Sequence, residues 1–125
     1  MSNDFIGSIA EESYISLETY RKNGNPVATP VWFVEDEGLI YVRTLLKSGK
    51  VKRIECKPQV GVAASEMDGK VKGKYYIGQA SIADDQKTEM IQELLTQKYG
   101  FRKRVFDLLG RLRRNIWTII VIHLD

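Results

Sequence analysis

The segment from Val42 to Pro58, VRTLLKSGKVKRIECKP, holds the densest set of residues that could bind an anion. Thr44 and Ser48 supply hydroxyl groups, and Gly49 would let a ligand approach the backbone closely. Three bases follow, which are Lys50, Lys52 and Arg53. A helix beginning near Ser48 would add free backbone amides, so the pattern is typical of a phosphate site. A capped surface helix with solvated lysines would show the same pattern, and the residues alone leave both interpretations open.

The acidic residues do not form a pattern typical of catalysis. Glu35, Asp36 and Glu37 lie in a predicted turn, where solvation explains them. Asp84 and Asp85 stand where a helix should begin, and negative charge there complements the helix dipole. None of these acids has a sequence neighbour that would make it a general acid or base.

The chain has one histidine, His123, and one cysteine, Cys56. Two such residues cannot complete a tetrahedral zinc site or an internal disulfide, so we expect no metal centre. His123 lies on a predicted strand without an evident partner, and we expect it to be buried and hydrogen-bonded. Cys56 has basic neighbours but no base to activate it as a nucleophile.

Length, composition and charge indicate one soluble domain with an anionic partner. At 125 residues the chain can build one core, and 43% hydrophobic residues argue against disorder. We therefore expect residues 1–125 to form a single domain. Residues 1–40 hold seven acids and two bases, whereas the remaining two thirds carry a net charge of +8. The acidic start is unlike a signal peptide and no apolar run is long enough to span a membrane, so we expect a cytoplasmic protein.

The elements that would position these residues are mostly strands. Alternation and turn signals predict six strands, at Tyr14–Arg21, Pro26–Val34, Leu39–Thr44, Gln59–Ser65, Lys74–Ala83 and Ile116–Leu124. Because Pro30 cannot donate a hydrogen bond to a neighbouring strand, we expect a bulge or an open edge there. The last strand is apolar on both faces, which predicts a central and well covered position.

Four helices complete the prediction. A short one precedes Ser13, a second runs from Ser48 to Lys57, and a third from Asp84 to Gly100 buries a stripe of apolar residues. That stripe comprises Met90, Ile91, Leu94 and Leu95. The fourth carries an apolar stripe expected to face the core, formed by Phe101, Val105, Leu108, Leu109 and Leu112. The fold class is therefore α+β, mainly β, and we expect a small antiparallel barrel.

Four segments, in this order, resemble one known family. They are ATPVWFVEDEGLIYVRT, SGKVKRIECKP, QVGVAASEMDGKVKG and GQASIADD. The chain resembles the split β-barrels that are similar to pyridoxamine 5′-phosphate oxidase, from about Tyr14 to Leu124. DGKVKG and the KYG at 98–100 resemble its branch of small flavin- and deazaflavin-dependent oxidoreductases, which use coenzyme F420. Tyr75, Tyr76, Trp117 and Thr118 depart from the family pattern, in places that bear on the substrate pocket.

The resemblance implies a six-stranded split barrel that forms a homodimer with two cofactor sites at its interface. The flat ring of the cofactor would lie along Thr29, Pro30, Val31 and Trp32. The phosphate would meet Thr44, Ser48 and Lys50, with Arg43, Lys52 and Arg53 nearby. Such enzymes usually have no protein nucleophile, because the cofactor carries the hydride chemistry.

The resemblance leaves the cofactor between coenzyme F420 and FMN, and the charge pattern favours F420. Its tail carries several carboxylates and would need a longer basic groove than FMN. Lys70, Lys72 and Lys74 could form a basic ladder if their segment is extended. Further bases on the fourth helix could join them, namely Arg102, Lys103, Arg111, Arg113 and Arg114.

The function expected from these features is hydride transfer between F420 or FMN and a small organic substrate. A non-catalytic flavin, deazaflavin or haem carrier on the same barrel is the alternative. A nucleic-acid binder that uses the bases from Arg102 to Arg114 is less favoured, because no known recognition motif accompanies them.

Overall fold

Seven strands form one antiparallel sheet in the computed structural model, which describes residues 2–114 and 116–125. The elements in chain order are α1 (Ser2–Ile9), β1 (Tyr14–Tyr20), β2 (Pro26–Val31), β3 (Phe33–Asp36), β4 (Leu39–Leu45), α2 (Gly49–Cys56), β5 (Gln59–Ser65), β6 (Tyr76–Ile82), α3 (Asp85–Tyr99), α4 (Phe101–Leu112) and β7 (Trp117–Leu124). The predicted α+β class with an antiparallel sheet is therefore confirmed.

The count of seven strands, against six predicted, comes from a break at Trp32. The sheet order is β2-β1-β5-β6-β7-β4-β3, so β2 and β3 lie at opposite edges. Only Trp32 separates these two strands along the chain. One bent segment therefore forms both edge strands, and its bend curves the sheet into a barrel. The open edge expected at Pro30 is confirmed, because β2 pairs with β1 alone.

The barrel interior is built by alternate residues of the strands. Ile15 and Leu17 of β1 and Val60 and Val62 of β5 are fully buried in one cluster. The cluster also takes in Phe5, Ile6 and Ile9 from α1 and Ile54 from α2. The short helix predicted before Ser13 is therefore present, and its apolar side packs against the barrel.

A second cluster lies under α3. Ile91, Leu95 and Tyr99 pack against Val34, Tyr41 and Ile119 on the outer face of the sheet. Asp84 caps the helix by accepting a hydrogen bond from the Lys87 backbone amide, as its position predicted. The predicted stripe is only partly right, because Met90 is exposed and Leu94 is half-buried.

The helix α4 has the opposite orientation to the one expected. Its predicted stripe of Phe101, Val105, Leu108, Leu109 and Leu112 is exposed to solvent. The residues that α4 buries are Lys103 and Gly110. The reason is electrostatic: Arg43 of β4 pairs with Asp107, which holds the charged side of the helix inward, and Lys103 of α4 pairs with the same carboxylate within the helix.

The last strand and its histidine also differ in part from expectation. β7 lies between β6 and β4 and is central, as predicted. His123, however, is exposed, which corrects the expectation of a buried histidine. Strand alternation turns its buried neighbours Ile122 and Leu124 inward, so His123 points outward beyond the cover of α3. No helix in the described part of the chain is long and apolar enough to cross a membrane.

Candidate functional site

A cleft of about 600 Å³ opens between the bent segment at Trp32, the end of β4 and the helix α4. Its volume lies within the usual range for cofactor and ligand sites. The lining residues are Tyr14, Pro30, Val31, Trp32, Arg43, Thr44, Leu45, Ser48, Lys50, Phe106, Leu109, Gly110, Arg113 and Trp117. Seven of the ten site residues expected from the sequence are among them.

One end of the cleft is polar and lies at the start of α2. Ser48 is the N-cap, and its hydroxyl accepts a hydrogen bond from the Val51 amide at 3.4 Å. The Thr44 hydroxyl donates to the Ser48 hydroxyl at 3.2 Å. The amides of Gly49 and Lys50 open the helix and have no partner within it. Two hydroxyls, two amides and one ammonium group therefore converge where an anion could bind.

Lys50 is the cation at this end of the cleft. Partial burial lowers the pKa of its ammonium group, and the nearby positive charge of Arg53 lowers it further. Both effects disfavour the charged lysine, so an anion placed beside it would relieve an existing cost.

Arg43 lies deeper in the cleft and its charge is already balanced. Its side chain is almost fully buried and forms an ion pair with Asp107 of α4. The guanidinium also lies 4.0 Å from the centre of the Trp117 ring and 5.9 Å from that of Trp32. Arg43 therefore joins α4 to the cleft wall, and its charge is less available to a ligand than that of Lys50.

The ion pairs of Asp107 set its protonation. Partial burial would raise the pKa of this carboxyl, but hydrogen bonds and attraction from Lys103 and Arg43 outweigh it and hold the pKa below its usual value. The Lys103 ammonium lies 2.7 Å from the second carboxylate oxygen. Asp107 is therefore ionised at neutral pH; it ties the buried Arg43 to α4 and pairs with the buried Lys103 within the helix.

Aromatic rings form much of the remaining wall. Trp32 stacks on Tyr99 with ring centres 4.4 Å apart, and Phe106 meets Trp32 edge-on at 5.3 Å. The Tyr99 hydroxyl accepts a hydrogen bond from the Phe33 amide at 2.9 Å, and its burial raises the pKa of this phenol to about 12. These contacts fix Trp32 in place at the break between β2 and β3.

Three of the expected site residues do not line the cleft. The Thr29 side-chain oxygen is buried and has no hydrogen-bond partner among the described residues. Lys52 is exposed on the surface of α2. Arg53 donates from Nε to the Thr19 hydroxyl at 2.6 Å and packs over Gly49, where a Cβ would meet its guanidinium at 2.7 Å. Helical spacing explains Lys52, because a residue two positions after Lys50 points in another direction. Arg53, three positions after Lys50, is instead drawn to the Thr19 hydroxyl.

Seven lining residues were outside the ten expected to meet the ring or the phosphate, although Arg113 was expected among the bases of a longer groove. They are Tyr14, Leu45, Phe106, Leu109, Gly110, Arg113 and Trp117. Trp117 departed from the family pattern, and that departure was the signal that it bears on a pocket. Four of the seven belong to the α4 region, whose orientation is decided by the Arg43–Asp107 pair. No local pattern in the sequence shows this long-range contact.

The expected basic ladder of Lys70, Lys72 and Lys74 is not formed. Residues 70–74 are not a strand; they make only one isolated bridge, at Val71. Lys72 is held by Glu12, with its ammonium 2.8 Å and 2.9 Å from the two carboxylate oxygens. None of the three lysines lines the cleft.

Metal binding finds no support among residues 2–114 and 116–125. No group of three or more His, Cys, Asp or Glu side chains in these ranges could hold a metal ion. Cys56 is exposed at the end of α2, away from the lining of the cleft.

Comparisons with solved structures support the fold. HutZ, the haem storage protein from Vibrio cholerae, superposes with a TM-score of 0.71 at 17% identity, covering 98% of this chain and 87% of its own. An F420 reductase superposes with a TM-score of 0.60 at 20% identity, covering 94% of this chain and 91% of its own. An FAD-binding protein from Mesorhizobium loti superposes with a TM-score of 0.62 at 14% identity, covering 100% of this chain and 88% of its own. At such identities these likenesses establish the architecture alone.

Sequence comparison gives the family. No curated protein sequence matches the chain at a significant level. The family model described as pyridoxamine 5′-phosphate oxidase matches residues 6–117, which include both the bent segment at Trp32 and the start of α2. With nearly the whole chain matched, the protein belongs to the pyridoxamine 5′-phosphate oxidase family of split β-barrels.

Proposed function

We propose that this protein binds a flavin-type cofactor in the cleft and serves as an oxidoreductase for a small organic substrate. One observation carries the proposal: a single cleft brings the Pro30–Trp32 segment together with Thr44, Ser48 and Lys50. The first supplies a flat apolar wall, and the second supplies hydroxyls, amides and a cation. A ring joined to a phosphate needs this combination.

The wall suits a planar ring for reasons of shape. Pro30 and Val31 end an edge strand, and Trp32 is fixed by its stacking on Tyr99. Trp117 and Phe106 add further aromatic surface to the lining. Flat aromatic ligands bind well against such rigid apolar side chains, because little side-chain entropy is lost.

The polar end suits a phosphate for reasons of charge and geometry. The α2 amides, the Thr44 and Ser48 hydroxyls and the Lys50 ammonium would hold the phosphate oxygens. Among the described residues of the lining, none is arranged as a nucleophile with its base, and a bound flavin would supply the hydride chemistry itself. The protein's part is then to bind, orient and exclude water.

We favour coenzyme F420 as the cofactor, with FMN as the alternative. The tail of F420 is polyanionic, and the three lysines expected to meet it lie away from the cleft. Arg113 lines the cleft, and the exposed Arg111 and Arg114 adjoin it near the end of α4. These arginines offer a basic path beyond the phosphate end that FMN would not need.

A haem carrier on the same barrel is the alternative that the cleft supports less. Haem iron needs an axial ligand such as His, Met, Cys or Tyr. Among residues 2–114 and 116–125, only Tyr14 of these residue types lines the cleft. His123 is exposed on β7 and Cys56 is exposed on α2, both outside the lining.

The proposed assembly is a homodimer, as in other members of the family, with the second copy completing the cofactor site. The cleft is open on one side, and its rim carries exposed apolar residues, including Leu45 and Leu109. Water would otherwise reach a reduced ring bound there. A partner that covers this side would exclude it.

Titration of the purified protein with FMN and F420 tests the proposal. Both tryptophans of the chain line the cleft, so ring binding should quench the intrinsic fluorescence. F420 binding should weaken as salt rises, because arginines near the surface recognise the tail. Oxidation of the reduced cofactor by candidate acceptors then separates an enzyme from a carrier. Absence of quenching with both cofactors, together with tight haem binding, would overturn the proposal.

A further inference from the structure

A second cavity, of about 360 Å³, lies between β3, the C-terminal half of α3 and the residue that follows α1. β3 contributes all four of its residues, and α3 contributes Leu94, Gln97 and Lys98. Within the described part of the chain, it shares no lining residue with the cleft. Its volume is near the lower end of the range for ligand sites, so it has room for a small molecule.

The Lys98 side chain enters this cavity because β3 is an edge strand. β3 pairs with β4 alone, and the Phe33 carbonyl oxygen accepts a hydrogen bond from the Lys98 ammonium at 3.0 Å. The ammonium also lies 3.4 Å from the centre of the Phe33 ring. Leu94 lies four residues before Lys98 on the same side of α3, so helical spacing directs both side chains into the cavity.

This position makes the Lys98 amine a nucleophile near neutral pH. Burial lowers its pKa to about 8, and attraction from Glu12 opposes this only in part. Both carboxylate oxygens of Glu12 are held by Lys72. The Tyr99 ring centre lies 5.3 Å from the ammonium, and burial raises the pKa of this phenol to about 12, so it is neutral. At pH 7.5 about a quarter of Lys98 is then free amine, against about one thousandth of an ordinary lysine.

The lining determines which electrophile can approach this amine. Glu35 and Asp36 place two acidic side chains at the cavity, and they disfavour anionic molecules such as acyl phosphates and oxo acids. Val34 and Leu94 add apolar surface beside the Phe33 ring. A lysine amine that has lost its hydration attacks carbonyl carbons, with which it forms Schiff bases. These features together fit a small, uncharged, apolar aldehyde.

We propose that this cavity binds small uncharged aldehydes, which form an imine with the Lys98 amine. The nitrogen adds to the carbonyl carbon, and the carbonyl oxygen leaves as water with two hydrogens that the ammonium carried. The protonated imine keeps one positive charge, which the Phe33 ring and the acidic side chains stabilise as they do the ammonium. No electron is gained or lost, so the step needs no oxidant, reductant or bound cofactor and is independent of the proposed flavin chemistry.

Reductive labelling with butanal and cyanoborohydride tests the proposal on the full chain. Cyanoborohydride converts each imine into a stable secondary amine, which peptide mass spectrometry locates. At pH 7.5 we expect Lys98 to be labelled at least about tenfold faster than the exposed Lys22, because far more of it is free amine. Labelling of Lys98 should also saturate as butanal is raised, whereas labelling of Lys22 should rise in proportion.

Filling the cavity separates a binding site from a lysine that is merely reactive. Gln97 is exposed and lines the cavity, so Gln97→Trp should take up its space and slow the labelling of Lys98 at least about tenfold. Gln86→Trp is the matched control, since Gln86 is exposed in the first turn of α3 and is not a lining residue. Circular dichroism should show that both variants keep the wild-type fold.

Three results would overturn the inference. Labelling of Lys98 no faster than that of Lys22 would show that its amine is not activated. Fast labelling that the Gln97 variant leaves unchanged would mean that the cavity binds no aldehyde. A preference for Lys98 over Lys22 that is as large with the anionic aldehyde glyoxylate would contradict the selection of uncharged molecules. None of these results bears on the cofactor titration, so the proposed function stands or falls separately.

Discussion

The guanidinium of Arg43 lies 4.0 Å from the centre of the Trp117 ring while its charge is paired with Asp107. Three elements meet at this one side chain, because Arg43 belongs to β4, Trp117 to β7 and Asp107 to α4. Arg43 therefore couples the barrel to the helix that walls the cleft. The family resemblance implied that Arg43 lies near a phosphate. In this chain its charge is paired with Asp107 and holds α4 against the barrel.

Removing the charge of Asp107 should weaken the contact between α4 and the barrel. We expect Asp107→Asn to lower the free energy of unfolding by about 1–3 kcal/mol, because two buried cations lose their counter-charge. The pKa of Asp107 is lowered in the folded state, so its contribution is present at neutral pH and is lost as pH falls through the folded pKa. Denaturant unfolding at pH 7 and in acid should show the gap between wild type and variant closing in acid. A gap that stays constant would contradict this account.

Lys50 should matter to ligand binding far more than Lys52. Lys50→Ala should weaken binding of the phosphate-bearing cofactor by about 1.5–3 kcal/mol, the range for hydrogen bonds to charged groups. Lys52→Ala removes the same charge two residues away on the exposed side of α2 and is the matched control. Fluorescence titration of both variants measures the difference. Equal losses would mean that overall charge, and not a specific site, attracts the ligand.

Gly110 should be the position where a side chain closes the cleft. It is buried in the interior of α4 and lines the cleft, although glycine lowers helix stability by about 1 kcal/mol relative to alanine. We expect Gly110→Leu to reduce cofactor affinity at least about tenfold, since the new side chain would fill space meant for the ligand. Gly7→Leu is the control, because a Cβ at Gly7 in α1 meets nothing within 4 Å. Unchanged affinity of the Gly110 variant would place the ligand elsewhere.

Lys98 should make the free energy of unfolding vary with pH in the alkaline range. Its ammonium lies 3.4 Å from the centre of the Phe33 ring, and burial lowers its pKa to about 8. The unfolded chain then binds more protons between about pH 8 and the ordinary lysine pKa of 10.5, so the free energy of unfolding should rise with pH across that window. Lys98→Met should remove the rise, whereas Lys22→Met, at an exposed lysine, should keep it. Measurements below about pH 9.5 avoid the titration of tyrosines.

Much of the barrel could be predicted because its signals are local. The alternation in β1 and β5, the Gly24 and Gly38 turns and the Asp84 cap each appear within a few residues of sequence. The break at Trp32 was missed because Pro26–Val34 reads as one uninterrupted strand rich in β-branched and aromatic residues. The bend arises from closure of the sheet, which no short window of sequence contains.

The candidate site could likewise be predicted only where its signals are local. The start of α2 could be found from Ser48, Gly49 and Lys50, since capping and anion binding use adjacent residues. The α4 wall could not, because its orientation depends on Asp107 meeting a residue 64 positions earlier. Helical periodicity alone favoured burying Leu108 and Leu112, and a buried ion pair outweighed it.

The edge position of β2 has a consequence for self-association by strand addition. Pro26 and Pro30 face Tyr20 and Ser16 of β1 at alternate positions, so both nitrogens point to the open side of the strand. Neither nitrogen carries a hydrogen, and a foreign strand would find two donors missing from this edge. The prolines thus protect the strand that forms the cleft wall from amyloid-like pairing, and the edge can stay open to a small ligand without becoming a template for aggregation.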